Sequence, residues 1–254
     1  MKSAKRTACL SPSHRADAAR PRAAQTGANL ITRKARRAFT LAAVALLVLA
    51  AMTPAQEREH RHDADAEQQQ ARDRDRWMWQ LPEAVIDAIG VEAGMVVADV
   101  GAGDGYFTLR LSSRVGGDGY VYATDIDGNA LARLRERCVD DGIDNVATIL
   151  GEPDDPLLPD GIDLALLVNV IHLVDDRAAF LEKIGNSLAP QGTLVIVQWD
   201  SAKMAVEHPD MSGDDLALYS EATVLDAVRE AGFVVDRIET FLPVQSVFVC
   251  RQQD

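Results

Sequence analysis

The chain has few cysteines, no run of apolar residues long enough to cross a membrane, and little positive charge beyond its first 55 residues. Its three cysteines are Cys9, Cys138 and Cys250. None stands at a spacing that would make a zinc site, so metal chemistry is not indicated. Cys138 and Cys250 could pair only if the fold brought them together. The longest apolar run, 39–52, falls short of the roughly 20 residues a spanning helix needs. Residues 1–55 hold ten of the 26 basic residues and one of the 39 acidic ones, so the remainder carries 16 basic against 38 acidic residues. Such a surface repels phosphate backbones, which disfavours nucleic acid and suits a small molecule or a cationic partner. The acidity also serves solubility alone. No internal repeat is visible, and nothing indicates an oligomeric state.

What is present divides the chain in three. Residues 1–55 form a basic region followed by the apolar run 39–52. Arg33, Lys34, Arg36 and Arg37 flank that run, and Thr53-Pro54-Ala55 offers a cleavage point before Gln56. This is the layout of an export signal or N-terminal membrane tether, and the Arg36-Arg37 pair resembles a twin-arginine core. The expected location is therefore exported (periplasmic) or membrane-anchored, or cytoplasmic if the true start lies downstream. Residues 56–76 read as a polar, solvated linker, with a helix as the alternative to an irregular chain. Residues 77–254 are enough for one domain with a real core.

Within 77–254 short apolar segments alternate with amphipathic ones. Strands are expected at 95–100, 120–124, 146–150, 163–170 and 193–198, with a final pair at 233–240 and 244–250. Helices are expected at 82–89, 106–114, 130–139, 177–188 and 221–231. Alternation of this kind implies a mostly parallel sheet covered on both faces. The last two strands read as a hairpin, so one edge strand should run antiparallel.

The first strand ends in Asp99-Val100-Gly101-Ala102-Gly103-Asp104-Gly105-Tyr106-Phe107, which opens a helix. In such sheets ligands bind beyond the carboxyl ends of the strands, where glycines let the backbone come close. The nicotinamide fingerprint requires Gly-x-Gly-x-x-Gly, but here the third glycine falls one place early, at Gly105. Asp99 and Asp104 would crowd a pyrophosphate and suit a cationic ligand without phosphate. Asp125 closes the second strand, 22 residues after Gly103, where an acid can accept from both ribose hydroxyls. Ile126 beside it can pack on an adenine face, or Asp125 can be a turn residue of Asp-Ile-Asp-Gly.

Val97–Phe107 resembles motif I of the class I S-adenosylmethionine-dependent methyltransferases, and Val121–Asp127 resembles their ribose motif. Gly151–Pro156 is similar to their adenine-binding turn. Asp163–His172 is similar to their fourth strand and its active-site edge. Leu188-Ala189-Pro190-Gln191-Gly192 is similar to their Leu-x-Pro-Gly-Gly turn, with Gln191 in place of a glycine. The resemblance covers about Trp77 to Arg251. It implies an α/β, Rossmann-like, doubly wound sheet of seven strands in the order 3-2-1-4-5-7-6. It implies S-adenosyl-L-methionine as cofactor and methyl transfer to a small-molecule acceptor. By position, Asp99 would orient the loop and the methionine end. Gly101, Ala102, Gly103 and Gly105 would form the loop that approaches it. Asp125 would hold the ribose. Asp155 would approach the adenine amino group, a task open equally to Glu152 or Asp154.

A methyl acceptor must be placed close to the sulfonium methyl, and an acidic acceptor proton needs a base. His172, after the fourth strand, is the candidate base, with a structural role as the alternative. Asn169 would hold the cofactor through backbone or side chain. Tyr106 would line the cavity or pack at the helix start, and Trp79 would cover the site or anchor the core. The long stretch 199–219 would contribute to the acceptor pocket. A non-catalytic adenosylmethionine binder and a nicotinamide oxidoreductase are the competing readings. An exported domain would also stand apart from the cytoplasmic supply of the cofactor.

Overall fold

A computed structural model describes residues 71, 73–207, 213 and 220–253. The segment 39–52, expected as an export signal or tether, and the first part of the expected linker lie outside the described residues. Glu67–Asp254 forms one compact unit. Among the described residues no helix is long and apolar enough to cross a membrane.

The unit opens with helix α1 (73–80), followed by α2 (Pro82–Ala88). The seven strands are β1 (Val96–Val100), β2 (Tyr120–Asp125), β3 (Val146–Leu150), β4 (Ile162–Val168), β5 (Leu188–Trp199), β6 (Phe233–Glu239) and β7 (Gln245–Gln252). Between them lie α3 (Thr108–Val115), α4 (Gly128–Asp140), α5 (Arg177–Ser187), α6 (Ser201–Glu207) and α7 (Glu221–Glu230). The strands form one sheet in the order β3-β2-β1-β4-β5-β7-β6, as the resemblance implies. All pairings are parallel except those of β7, which runs antiparallel to both β5 and β6. The reversed strand therefore lies one place in from the edge. The short connection after β6 returns the chain as a hairpin, and β7 inserts between β5 and β6.

Period-two alternation sends each strand's side chains to opposite faces. Leu164, Leu166, Val195, Val197, Val247 and Val249 pack with α2 and α3 on one face. Ala165, Leu167, Leu194, Ile196, Phe248 and Cys250 pack with α5 and α7 on the other. Cys138 and Cys250 are both free and buried. Helices start at side-chain caps: Asp127 accepts from Asn129 N–H at α4, Asp176 from Ala179 N–H at α5, and Ser220 from Thr223 N–H at α7. Each cap satisfies a backbone donor that the first helical turn leaves open.

Three differences from the sequence reading have physical causes. Residues 73–76, at the end of the expected linker, are helical, as that reading allowed, and pack on the domain instead of standing in solvent: Asp73 lies 3.9 Å from Arg137, and Arg76 packs on Tyr106. The helix expected from Tyr106 starts at Thr108, because Gly103 and Gly105 hold positive φ and the turn they make runs through Phe107. The stretch expected as a loop after β5 contains α6, while residues 208–212 and 214–219 lie outside the described residues. Gln191, where the resembling turn has a glycine, holds a left-handed φ of 70°, a conformation glycine adopts more readily. Its neighbour has to be glycine: a Cβ at Gly192 would stand 2.8 Å from the Ile162 carbonyl oxygen.

Candidate functional site

The carboxyl ends of β1, β2, β4 and β5 gather the candidate residues at one end of the sheet. The loop after β1 is fastened to β2, with Gly101 and Ala102 N–H both donating to the Thr124 carbonyl at 2.8 and 3.0 Å. Gly101 has φ 75°, and a Cβ there would lie 2.2 Å from Val170 Cγ2. Gly105 has φ 90°, and its Cβ would lie 2.3 Å from Leu134 Cδ1 on α4. Both glycines are thus required by the loop's own packing. Gly103 differs: its φ is 58°, and a Cβ there would meet nothing within 4 Å. The loop faces open space at that one glycine, which is the side from which a ligand can approach. Ala102 is buried against Ala123, Leu134 and Cys138 and so presents only backbone.

Asp125 ties the loop after β1 to the turn after β2. Its Oδ2 accepts from Gly103 N–H at 2.8 Å and its Oδ1 from Asp127 N–H at 2.8 Å. Each carboxylate oxygen keeps further acceptor capacity, so the acid can hold the loop and still accept from two hydroxyls. Ile126 is 63 % exposed, an apolar surface beside that acid. The turn after β3 is closed by reciprocal bonds between Glu152 and Asp155, 2.7 and 3.1 Å. Asp155 Oδ1 accepts from Leu157 N–H at 2.8 Å, and Lys183 on α5 approaches Asp155 at 3.5 Å and Asp154 at 3.3 Å. Lys183 also donates to the Asp154 carbonyl. The turn is therefore set from α5, a role no motif announces.

Asp99 is 3 % exposed and accepts from Thr108 Oγ1 at 2.6 Å. Burial pushes its carboxyl up to about 6, against the lowering effects of the Thr108 hydrogen bond and the Arg76 charge. A cation held against Asp99 would favour its ionised form, which fits the ammonium group of S-adenosylmethionine. Tyr106 is 2 % exposed and packs in the core under α2 and α3. It packs at the helix start rather than lining an open cavity. Its hydroxyl is buried with no hydrogen-bond partner among the described residues.

The acceptor edge lies beyond β4. Asn169 takes φ 58°, and its N–H donates to the Val197 carbonyl at 2.8 Å. Its Oδ1 accepts from Gln245 Nε2 at 2.7 Å. His172 sits in a single 3-10 turn, Ile171–Leu173. Its Nδ1 faces the amide of Gln198, with Oε1 at 3.2 Å and Nε2 at 3.1 Å. Burial lowers the imidazole below its ordinary range; the Gln198 hydrogen bond opposes this and the Arg177 charge adds to it. Trp79 stacks on Trp199 with ring centroids 4.9 Å apart, which anchors α1 over the end of β5.

Sequence reasoning missed three buried glutamines and an arginine. Gln80, Gln198 and Gln245 are fully buried. Arg76 donates from Nε and Nη2 to Gln80 Oε1 at 3.0 and 2.8 Å, and Gln80 Nε2 reaches Gln245 Oε1 at 3.4 Å. The visible signal was a polar amide at the end of apolar β5 and at the start of apolar β7, where nothing in the strand pattern explains it. A depression of about 590 Å³ between α5 and α7, with Asp175, Asp226 and Glu230 among its lining residues, includes none of these groups.

A doubly wound sheet of this order, with a glycine loop after β1 fastened to an acid at the end of β2, has the class I methyltransferase architecture. The chain belongs to the family described as "Methyltransferase domain", which matches residues 91–232. It is 30 % identical over 115 residues to an uncharacterized methyltransferase of Mycobacterium tuberculosis, covering 45 % of this chain and 56 % of the relative. It is 30 % identical over 116 residues to the ubiquinone/menaquinone biosynthesis C-methyltransferase UbiE of Idiomarina loihiensis, covering 45 % and 46 %. The match thus spans about half the length of these curated relatives. Among solved structures, a SAM-dependent methyltransferase from Aquifex aeolicus matches with a TM-score of 0.59 and 28 % identity, over 66 % of this chain and 88 % of that one. A methyltransferase from Mesorhizobium loti, at 19 % identity and a TM-score of 0.55 over 66 % and 96 %, shares the fold.

Proposed function

We propose that the chain transfers the methyl group of S-adenosylmethionine to a small-molecule acceptor carrying an ionisable proton. The carrying observation is the open face of Gly103, whose N–H is held by Asp125, with the buried Asp99 close enough to Asp125 for their charges to interact. Those carboxylates suit an ammonium and a ribose and repel a pyrophosphate. The bound cofactor supplies an electrophilic methyl on a sulfonium. The acceptor's lone pair forms the new bond to carbon, and the carbon–sulfur pair returns to sulfur as a thioether. His172 takes the acceptor proton. Its lowered pKa keeps the imidazole neutral at pH 7, the form a base requires. Gln198 fixes the ring's orientation.

The test is transfer of labelled methyl from S-adenosylmethionine into a panel of small phenols, acids and amines. For an acceptor so found, His172→Ala should lower the rate on the order of 100-fold with cofactor affinity unchanged. The wild-type rate should hold down to a pH below the ordinary imidazole range before falling as His172 protonates. Equal rates for the two proteins would leave His172 a structural residue.

The acidic domain, the basic flank and the apolar run 39–52 support a second element of this reading: export or anchoring through the N-terminus, with the domain outside. Mass spectrometry of the protein from its host should find a mature N-terminus near Gln56 or an intact anchor in the membrane fraction. An intact basic segment on soluble protein would contradict it.

A further inference from the structure

We propose that Arg76, on the N-terminal helix α1, receives the α-carboxylate of the cofactor, which makes α1 part of the cofactor site. The inference rests on the adenosylmethionine reading above and adds to it a cation that no motif supplies.

Arg76 is half-buried, and its guanidinium carbon stands 4.0 Å from the Tyr106 ring centroid. It shares that ring with Arg110, at 4.1 Å, but the two are paired differently. Arg110 meets the Glu83 carboxylate at 3.3 Å and donates to the Tyr106 carbonyl. Among the described residues no ion pair of Arg76 is found; Asp73 on the same helix meets Arg137 instead, and Arg110 meets Glu83. Its hydrogen bonds go to one neutral atom, Gln80 Oε1, from Nε and Nη2. A guanidinium has five N–H donors, so three remain, including both on Nη1. Together Nη1 and Nη2 present the planar fork that matches a carboxylate.

A partly desolvated cation with no carboxylate in contact is unfavourable, and burial lowers the Arg76 pKa against the raising effects of Tyr106, Asp73, Asp104 and Asp99. The surroundings narrow what the missing anion is. Asp73, Asp99 and Asp104 all lie close enough to act on Arg76 electrostatically. Asp99 is the buried acid that suits the cofactor's ammonium. An amino acid's zwitterion carries its ammonium and its carboxylate on the same carbon, so a cation close to Asp99 is where its carboxylate would fall. Gln80 and the Tyr106 ring hold the guanidinium in place, and Gln80 is itself anchored to the sheet through Gln245.

The proposal is tested by titrating the full chain with S-adenosylmethionine and with its decarboxylated analogue, the same sulfonium ending in a primary amine. Wild type should bind the carboxylate-bearing ligand about 10-fold or more tighter, the scale of one charge-assisted pair. Arg76→Gln should weaken only that ligand and bring the ratio close to one. Arg76→Lys should keep part of it. Equal binding of both ligands by wild type, or equal weakening of both in Arg76→Gln, would overturn the proposal. If Arg76→Gln does not fold, the wild-type ratio and Arg76→Lys still decide. Failure of wild type to bind S-adenosylmethionine at all would instead sink the adenosylmethionine reading, and this proposal with it.

Discussion

Gly101→Ala should destabilise the domain by about 3 kcal/mol and remove measurable S-adenosylmethionine binding. Two costs combine. An L-residue is strained at the φ of 75° that Gly101 adopts. The new methyl would also press on Val170 Cγ2, at 2.2 Å, and Val170 is packed against the core. The chain can relieve that contact only by moving the loop away from the segment after β4, and this would disturb Gly101 N–H at Thr124. Denaturant unfolding gives the stability and calorimetry the affinity. The double variant Gly101→Ala/Val170→Ala separates the costs: it should recover the contact part and keep the backbone part. A Gly101→Ala protein of wild-type stability and affinity would show that the loop tolerates a side chain there.

Asp125→Ala should weaken cofactor binding by about 1–3 kcal/mol through the lost ribose hydrogen bonds. The structure adds a second effect of the same sign. Gly103 N–H and Asp127 N–H both end on this carboxylate. Alanine leaves the Gly103 amide without its acceptor at the point where the loop meets open space. Asp125→Asn keeps one accepting oxygen, so it should fall between wild type and alanine. Adenosine alone should lose affinity in parallel, because the ribose is common to both ligands. Unchanged affinity in Asp125→Ala would mean that the ribose is held elsewhere.

The fold was legible because its signals are local. Continuous apolar strands, apolar positions at helical spacing, and glycines at the ends of strands are all read within a few residues. The loop and Asp125 were legible for the same reason: their spacing along the chain is their geometry. The relay from Arg76 through Gln80 to Gln245 and Asn169 was not. Gln80 and Gln245 are 165 positions apart, and only the sheet order brings β7 beside β5, where the start of β7 can meet α1. Arg76 looked like one charge among many in a polar run, since a side chain's pairing has no signature in composition. For Tyr106 the sequence left a cavity wall and packing at the helix start open, and its burial with α2 and α3 decides for packing.

The most direct test of the account is calorimetric titration of the protein with S-adenosylmethionine, its demethylated product and NAD. The account predicts saturable binding of the two adenosyl ligands, each at one site, and none of NAD. Binding of NAD in their place would contradict it, as would a flat titration with S-adenosylmethionine by folded protein.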